Sequence, residues 1–243
     1  MIKSTIKRLL STSGVYAKWY RNIPYGIDWM LDIDRIAGPT WTPRVIFDVG
    51  ANIGQTTLEL SKHWRGSDIH AFEPVASTFS MLRANVAVLP HAFCHHCGLG
   101  DAEKTLSVRT MPGSIVNSLK SDCMMSVPEA RIEEIKVRTA DAVAAELEIQ
   151  HIDVLKTDTE GFDLEVLKGA SGLLKAARIS FVLSEVTFFR GDQQHTSFDS
   201  VYSYLMEQNF ALAGFNETGE LVASGVENGY CNALFMSKAL LRR

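Results

Sequence analysis

The run Arg44-Val-Ile-Phe-Asp-Val49, followed at once by Gly50-Ala-Asn-Ile-Gly54, restricts this chain more than any other feature. A short β-branched and aromatic run reads as a buried strand, and glycines directly behind it allow a tight reversal into a helix. Ile53, Thr57, Leu60 and Trp64 recur at helical spacing and predict that helix. A glycine turn that opens a helix presents unpaired backbone N–H groups to an anionic ligand group. It also implies a parallel sheet, because strands that alternate with helices return alongside one another.

The rest of the chain supplies such a sheet. Asp68-Ile-His-Ala-Phe72 predicts a second strand, closed by Glu73-Pro74, and Phe79, Leu82 and Val86 mark the helix behind it. A third strand is expected within residues 92–99. Residues 104–110 and 135–139 look extended and flank an irregular stretch, 111–134. A helix is expected at 141–147, then the strand His151-Ile-Asp-Val-Leu-Lys156 and a helix near 164–168. Ile179-Ser-Phe-Val-Leu-Ser184 is apolar on both faces, as a buried parallel strand should be. Phe198, Val201, Tyr202 and Leu205 give a last amphipathic helix. Strands near 210–215 and 231–236 close the chain, with turn chemistry at Asn216-Glu-Thr-Gly219. Their connection is too short for a parallel crossover, so at least one of the two runs antiparallel to the rest. The expected fold class is α/β: a mainly parallel seven-stranded sheet with one antiparallel strand near its edge and helices on both faces. Residues 1–40 are expected to form a helical or irregular extension, and 41–243 the domain.

The spacing of the glycine turn bears on the ligand. A dinucleotide-binding turn has G-x-G-x-x-G, so that a pyrophosphate can touch the backbone. Here Asn52 holds the middle position and the motif reads G-x-x-x-G. Asp48, Gly50, Asn52 and Gly54 are therefore candidate cofactor residues for a ligand without a pyrophosphate. Glu73, at the end of the second strand, is placed to accept hydrogen bonds from both hydroxyls of a ribose, and such charge-assisted bonds are strong. Gly98-Leu-Gly-Asp101 follows the third strand. Asp101 is expected to receive an adenine amino group, with backbone N–H groups such as that of Leu99 near a ring nitrogen; a local turn made by Asp101 is the alternative.

Phe47-Asp-Val-Gly-Ala-Asn-Ile-Gly54, Ala71-Phe-Glu-Pro74, Gly98-Leu-Gly-Asp101 and Leu155-Lys-Thr-Asp-Thr-Glu-Gly161 through Val166-Leu-Lys-Gly-Ala170 resemble, in order, the FkbM-type methyltransferases. The resemblance runs from residue 22 to residue 237. It implies a Rossmann-like class I methyltransferase fold, S-adenosyl-L-methionine as donor, and O-methylation of a hydroxyl on a sugar, glycan, polyketide or similar natural product. Thr157 and Thr159 stand where the family usually has apolar residues, and Phe162-Asp163 replaces a commoner Ala-Glu. These departures bear on the acceptor, not on the cofactor.

Asp158 and Glu160 are two residues apart and would share a face in extended backbone, with Glu185 at the end of the next strand as a third acid. A sugar hydroxyl is a poor nucleophile at neutral pH, and a base that takes its proton is worth roughly 10²–10⁴ in rate. Either Asp158 or Glu160 is that base and the other orients the acceptor; Asp158 also borders the cofactor. Two other readings stand beside this one: Mg²⁺ held by Asp158, Glu160 and Glu185, and acids that cap the helix from Asp163. The favoured reading places no metal in the site. His195 lies in a loop that follows a strand and could reach the cleft, with a solvated position the favoured reading. Cys94-His-His-Cys97 cannot converge on one ion, because side chains in a strand alternate between faces. Residues 111–130 and 187–196 are the expected acceptor-binding loops.

Composition excludes some classes and leaves others open. A net charge of −4 gives no reason to expect nucleic acid as partner. No run approaches the roughly 20 apolar residues of a membrane span, and Met1 to Leu10 lacks the core of an export signal. Weak peripheral membrane contact by that segment is the alternative to a solvated first helix. Four cysteines without an export signal point to reduced thiols in the cytoplasm. A nicotinamide-dependent oxidoreductase and a catalytically inactive cofactor-binding protein are the rival classes. Composition fixes no oligomeric state.

Overall fold

A computed structural model of the chain describes residues 23–110, 131–192, 194–218 and 229–242. The described residues open with α1 (Trp29–Ala37), capped by Asp28, whose side chain accepts the N–H groups of Met30 and Leu31. Then follow β1 (Val45–Val49), α2 (Gln55–His63), β2 (Asp68–Phe72), α3 (Ala76–Val86), β3 (Ala92–His95), β4 (Gly98–Leu99), β5 (Lys104–Thr110) and β6 (Arg131–Arg138). The second half holds α4 (Ala140–Glu146), β7 (Ile152–Thr157), α5 (Asp163–Gly169), α6 (Ser171–Lys175), β8 (Ile179–Thr187), α7 (Phe198–Glu207), β9 (Phe210–Asn216) and β10 (Tyr230–Ser237). The expected first helix over residues 1–10 and the expected acceptor loop 111–130 lie outside the described residues.

Seven strands form one sheet in the order β3-β2-β1-β7-β8-β10-β9. The pairs β1–β2, β2–β3, β1–β7 and β7–β8 are parallel, while β10 runs antiparallel to both β8 and β9. One reversed strand next to the edge is what the short final connection demanded.

Register puts Phe47 beside Leu155 and Leu155 beside Val182, and all three enter one hydrophobic cluster with Val166, Leu167 and Val201 of the helices. Their neighbours Ile46, Val154 and Phe181 are likewise aligned and face the opposite cluster, with Trp29, Ile33, Leu60 and Trp64. Every second side chain thus feeds a different layer, which is why these strands read as continuous apolar runs. Residues 29–37, within the expected extension, pack onto the sheet through Trp29 and Ile33.

The third strand lies within the expected residues 92–99 and ends at His95, while one expectation, the start of β6, is corrected. Glu73 N–H donates to the His95 carbonyl at 3.1 Å, but the next donor on that side, Val75 N–H, turns instead to Glu73 Oε1 at 2.8 Å, and the ladder ends. The chain leaves the main sheet, and β4 instead joins a second sheet of order β4-β6-β5. In that sheet β6 starts at residue 131, earlier than the expected 135, and pairs antiparallel with β5 from Lys104↔Val137 to Thr110↔Arg131.

Candidate active site

A cavity of about 330 Å³ opens at the carboxyl ends of the parallel strands, where an open α/β sheet places its ligands. Its wall comes from the β1–α2 turn (Val49 to Asn52, Gln55, Thr56), the β2 end (Glu73 to Val75), Gly98 and Leu99, the β7 end (Lys156, Asp158 to Glu160), Glu185 and Tyr230. The topology thus brings together segments from both halves of the chain.

The turn after β1 carries positive φ at Gly50 (79°), Asn52 (51°) and Gly54 (94°). Asparagine is among the few residues with a side chain that enter this region readily, so Asn52 sits where many turns would need a third glycine. At Gly50 a Cβ would overlap the carbonyl oxygen of Asp158. The turn after β1 and the end of β7 therefore touch backbone to backbone, and Asp158 N–H donates to the Val49 carbonyl at 3.1 Å. Gly54 lies at the start of α2 rather than on the cavity wall, packed against Leu82 and Val86 of α3.

Asp48, expected at the cofactor, lies beneath the turn and does not line the cavity. It is fully buried, accepts the Thr57 hydroxyl at 2.7 Å, and has Lys156 Nζ at 3.3 Å. Glu73 does line the cavity and is 7% exposed. Burial pushes its carboxyl up to about 7, against the backbone N–H groups of Val75 and Asn52, which favour the ionised form. Leu99 lines the cavity, but Asp101 does not: its side chain is 41% exposed and pairs with Lys104 at 2.7 Å. The local-turn alternative describes Asp101 better than the adenine contact, because the chain has already turned toward β5 when it reaches this residue.

The acidic side of the cavity holds a lysine that sequence reasoning passed over. Lys156 is buried at the end of β7, and Nζ bridges Asp48 at 3.3 Å and Asp158 at 3.0 Å. Burial opposes its charge, but Asp158 and Asp48 outweigh that and hold the ammonium ionised. A lysine near the end of a buried strand, with aspartates at 48 and 158 at the ends of neighbouring strands, was the available signal.

Asp158 and Glu160 both line the cavity, but not through a shared face of extended chain. Glu160 has φ of 52° and Gly161 φ of 91°, so the backbone reverses between them. A non-glycine residue held there stores on the order of 1–3 kcal/mol of strain, which clusters at functional sites. Burial and then Asp158 raise the Glu160 carboxyl above the usual range. Glu185 is 8% exposed and is raised strongly, by burial and by repulsion from Asp158, Asp163 and Glu160. Asp163, at the start of α5, is buried and lifted to about 6 by burial and Asp158; Thr196 Oγ1 donates to it at 3.1 Å.

His195 is buried, not solvated, with 7% exposure. Its Nδ1 lies 2.8 Å from Asp192 Oδ2, its ring stacks on Tyr230 at 4.5 Å, and its Nε2 is 3.7 Å from Glu185 Oε2. The signal was Asp192 three residues before His195, a spacing that lets one side chain hold the other. The side chains of residues 94–97 go different ways: His95 bonds His70 at 3.0 Å, His96 stacks on Phe79, and Cys97 is buried.

A parallel sheet with one reversed strand, a glycine turn and a strand-end glutamate together define a Rossmann-like methyltransferase domain. The model of the methyltransferase FkbM domain matches residues 48–212, and the chain belongs to that family. Methyltransferase 1 of Beauveria bassiana is 32% identical over 142 residues, 51% of this chain and 57% of that protein. Hexuronic acid methyltransferase AglP of Haloferax volcanii is 30% identical over 147 residues, 58% of this chain and 55% of that protein. The chain thus spans little more than half the length of these curated relatives. The crystal structure of methyltransferase FkbM from Methylobacillus flagellatus shares the fold, with a TM-score of 0.52 and 17% identity over 80% of this chain and 43% of that one. Among the described residues no helix is long and apolar enough to cross a membrane.

Proposed function

We propose that this domain transfers a methyl group from S-adenosyl-L-methionine to a hydroxyl of a sugar, glycan or other natural-product acceptor. The observation that carries the proposal is Glu73: a buried carboxylate facing the same cavity as the Gly50–Asn52 turn and the acids 158, 160 and 185. The cavity fits the cofactor in chemical terms. The first turn of α2 offers N–H groups to a carboxylate, Glu73 offers acceptor oxygens to ribose hydroxyls, and Leu99 offers an apolar wall to a base. The cofactor supplies a methyl group on a sulfonium, whose carbon–sulfur electron pair returns to sulfur when the acceptor oxygen attacks.

The chain's own residues do the rest. Asp158 is the proposed base. Asp158 lines the cavity and has an ammonium, Lys156 Nζ, at 3.0 Å. Its side chain is 39% exposed, so an acceptor can reach it. It takes the hydroxyl proton as the new carbon–oxygen bond forms. Glu160 and Glu185 orient the acceptor, and such positioning is worth up to about 7–11 kcal/mol in favourable cases. That the relative from Haloferax volcanii is named a hexuronic acid methyltransferase supports a sugar acceptor.

The test is incubation of the purified chain with methyl-labelled cofactor and fractionated carbohydrate and lipid pools, followed by identification of the labelled product. Label in a methyl ether is the expected result. A chain that is stabilised thermally by NAD(H) or NADP(H) but not by S-adenosylhomocysteine would overturn the assignment.

A further inference from the structure

Two carboxylates and an imidazole converge on one side of the cavity. Glu160, Glu185 and His195 each bring a ligand atom within 4.8 Å of the others. They come from three segments: the loop after β7, β8 itself and the loop after β8. His195 is held in place from behind. Asp192, whose side chain is 1% exposed, accepts the His195 backbone N–H at 3.1 Å through one oxygen and faces ring Nδ1 at 2.8 Å through the other. With the proton on Nδ1 toward that carboxylate, Nε2 turns its lone pair to Glu185 Oε2.

The gap between Nε2 and Oε2 is 3.7 Å. That is too long for a hydrogen bond, which would close to about 3.2 Å or less. Among the described residues neither Nε2 nor the buried Glu185 carboxyl, at 8% exposure, has a hydrogen-bond partner. An imidazole nitrogen and a buried carboxyl therefore face each other across a space without bonding, beside a cavity wall that carries further carboxylates. At metal–ligand bonds of roughly 2.1 Å, neighbouring ligands of an octahedron lie roughly 3.0 Å apart and opposite ones roughly 4.2 Å. The observed gap falls between these, so small side-chain rotations would close the set on an ion.

We propose that Glu160, Glu185 and His195 hold a divalent first-row metal ion, with Asp192 as the positioning residue that fixes the imidazole. Oxygen donors with one imidazole suit Mn²⁺ and its neighbours better than Mg²⁺, which keeps to oxygen. Asp158, part of the set expected from sequence, is taken by Lys156 and is replaced by His195. Three protein ligands leave positions open, and two of the ligands line the cavity, so an acceptor hydroxyl can occupy one of them. This last step, the acceptor on the ion, rests on the methyl-transfer reading; the ion site does not.

Mn²⁺ titrated into the chelator-stripped full chain, with free Mn²⁺ read by electron paramagnetic resonance, tests the site without cofactor or acceptor. One equivalent should bind saturably. Glu185→Gln and His195→Gln should each weaken binding at least tenfold, Asp192→Asn roughly 10–100-fold, as is typical of such outer partners, and the surface control Asp101→Asn not at all. Circular dichroism identifies any variant that fails to fold, and Asp192→Asn keeps the test open if His195→Gln does so. No saturable binding, or binding that the folded variants retain, overturns the proposal. Saturable Mn²⁺ binding without methyl transfer to any pool would instead count against the methyl-transfer reading and leave the ion site standing.

Discussion

Glu73→Gln should make this protein more stable and less able to bind its cofactor, and the size of the first effect should depend on pH. The Glu73 carboxyl is raised from an ordinary value of 4.5 to about 7 by burial. For an acid whose pKa is higher in the folded state, the protonated form is the one folding favours. Its stabilising contribution is complete below pH 4.5 and is lost as pH rises through 7. A tenfold change in an ionisation constant is worth about 1.36 kcal/mol, so the cumulative loss is about 1 kcal/mol at pH 5 and about 3 kcal/mol at pH 8. Glutamine keeps an oxygen for the Val75 N–H, which Glu73 accepts at 2.8 Å, and never ionises. Any constant penalty from the swap is the same at both pH values, so the difference between variant and parent isolates the titration. Urea unfolding at pH 5 and pH 8 should show the variant gaining about 2 kcal/mol on the parent between them. Calorimetry with S-adenosylhomocysteine should show at least tenfold weaker binding to the variant at pH 8, because the two ribose hydroxyls lose a charged acceptor. A stability difference that does not grow with pH would refute the buried-carboxylate argument. Unchanged cofactor affinity would refute the role of Glu73 in binding.

Asp158→Asn should lower kcat by roughly 10²–10⁴ with cofactor affinity little changed, and near-parental turnover would remove Asp158 as base. Lys156→Met leaves Asp48 and Asp158 facing each other without a cation and should cost about 3–5 kcal/mol in denaturant unfolding. Gly50→Ala and Gly66→Ala separate two costs at the same backbone sign. At Gly66 nothing lies within 4 Å of an added Cβ, so positive-φ strain alone, about 1–2 kcal/mol, is expected. At Gly50 the Cβ also meets the Asp158 carbonyl, so the loss should be clearly larger and should include cofactor binding; equal losses would contradict the close contact.

The sequence patterns that proved most legible were those set by short-range rules. The apolar residues that dominate 45–47, 152–155 and 179–183 marked the central strands, because strands buried on both faces show no regular polar alternation. The glycine turn and Glu73 located one wall of the cavity for the same reason: strand ends and turns are written locally. What escaped was decided over long distance. Nothing near residue 98 announces that β4 will leave one sheet for another, since its partner strand β6 lies beyond both β5 and the stretch that follows it. The burial of His195 depends on Tyr230 and Glu185, both from other elements. Asp158 and Glu160 were brought to one cavity by a backbone reversal, not by strand periodicity, and no pattern of spacing reveals a positive φ at a glutamate.

The single ammonium of Lys156 also marks the seam along which this domain can be recombined. It is shared by an aspartate in β1 and one just after β7, so the two segments are not interchangeable parts. A chimera that imports residues 158–163 from a relative while keeping its own β1–α2 segment inherits a charge pattern assembled for another lysine. Grafts intended to change acceptor preference should therefore exchange the ends of β1 and β7 as one block.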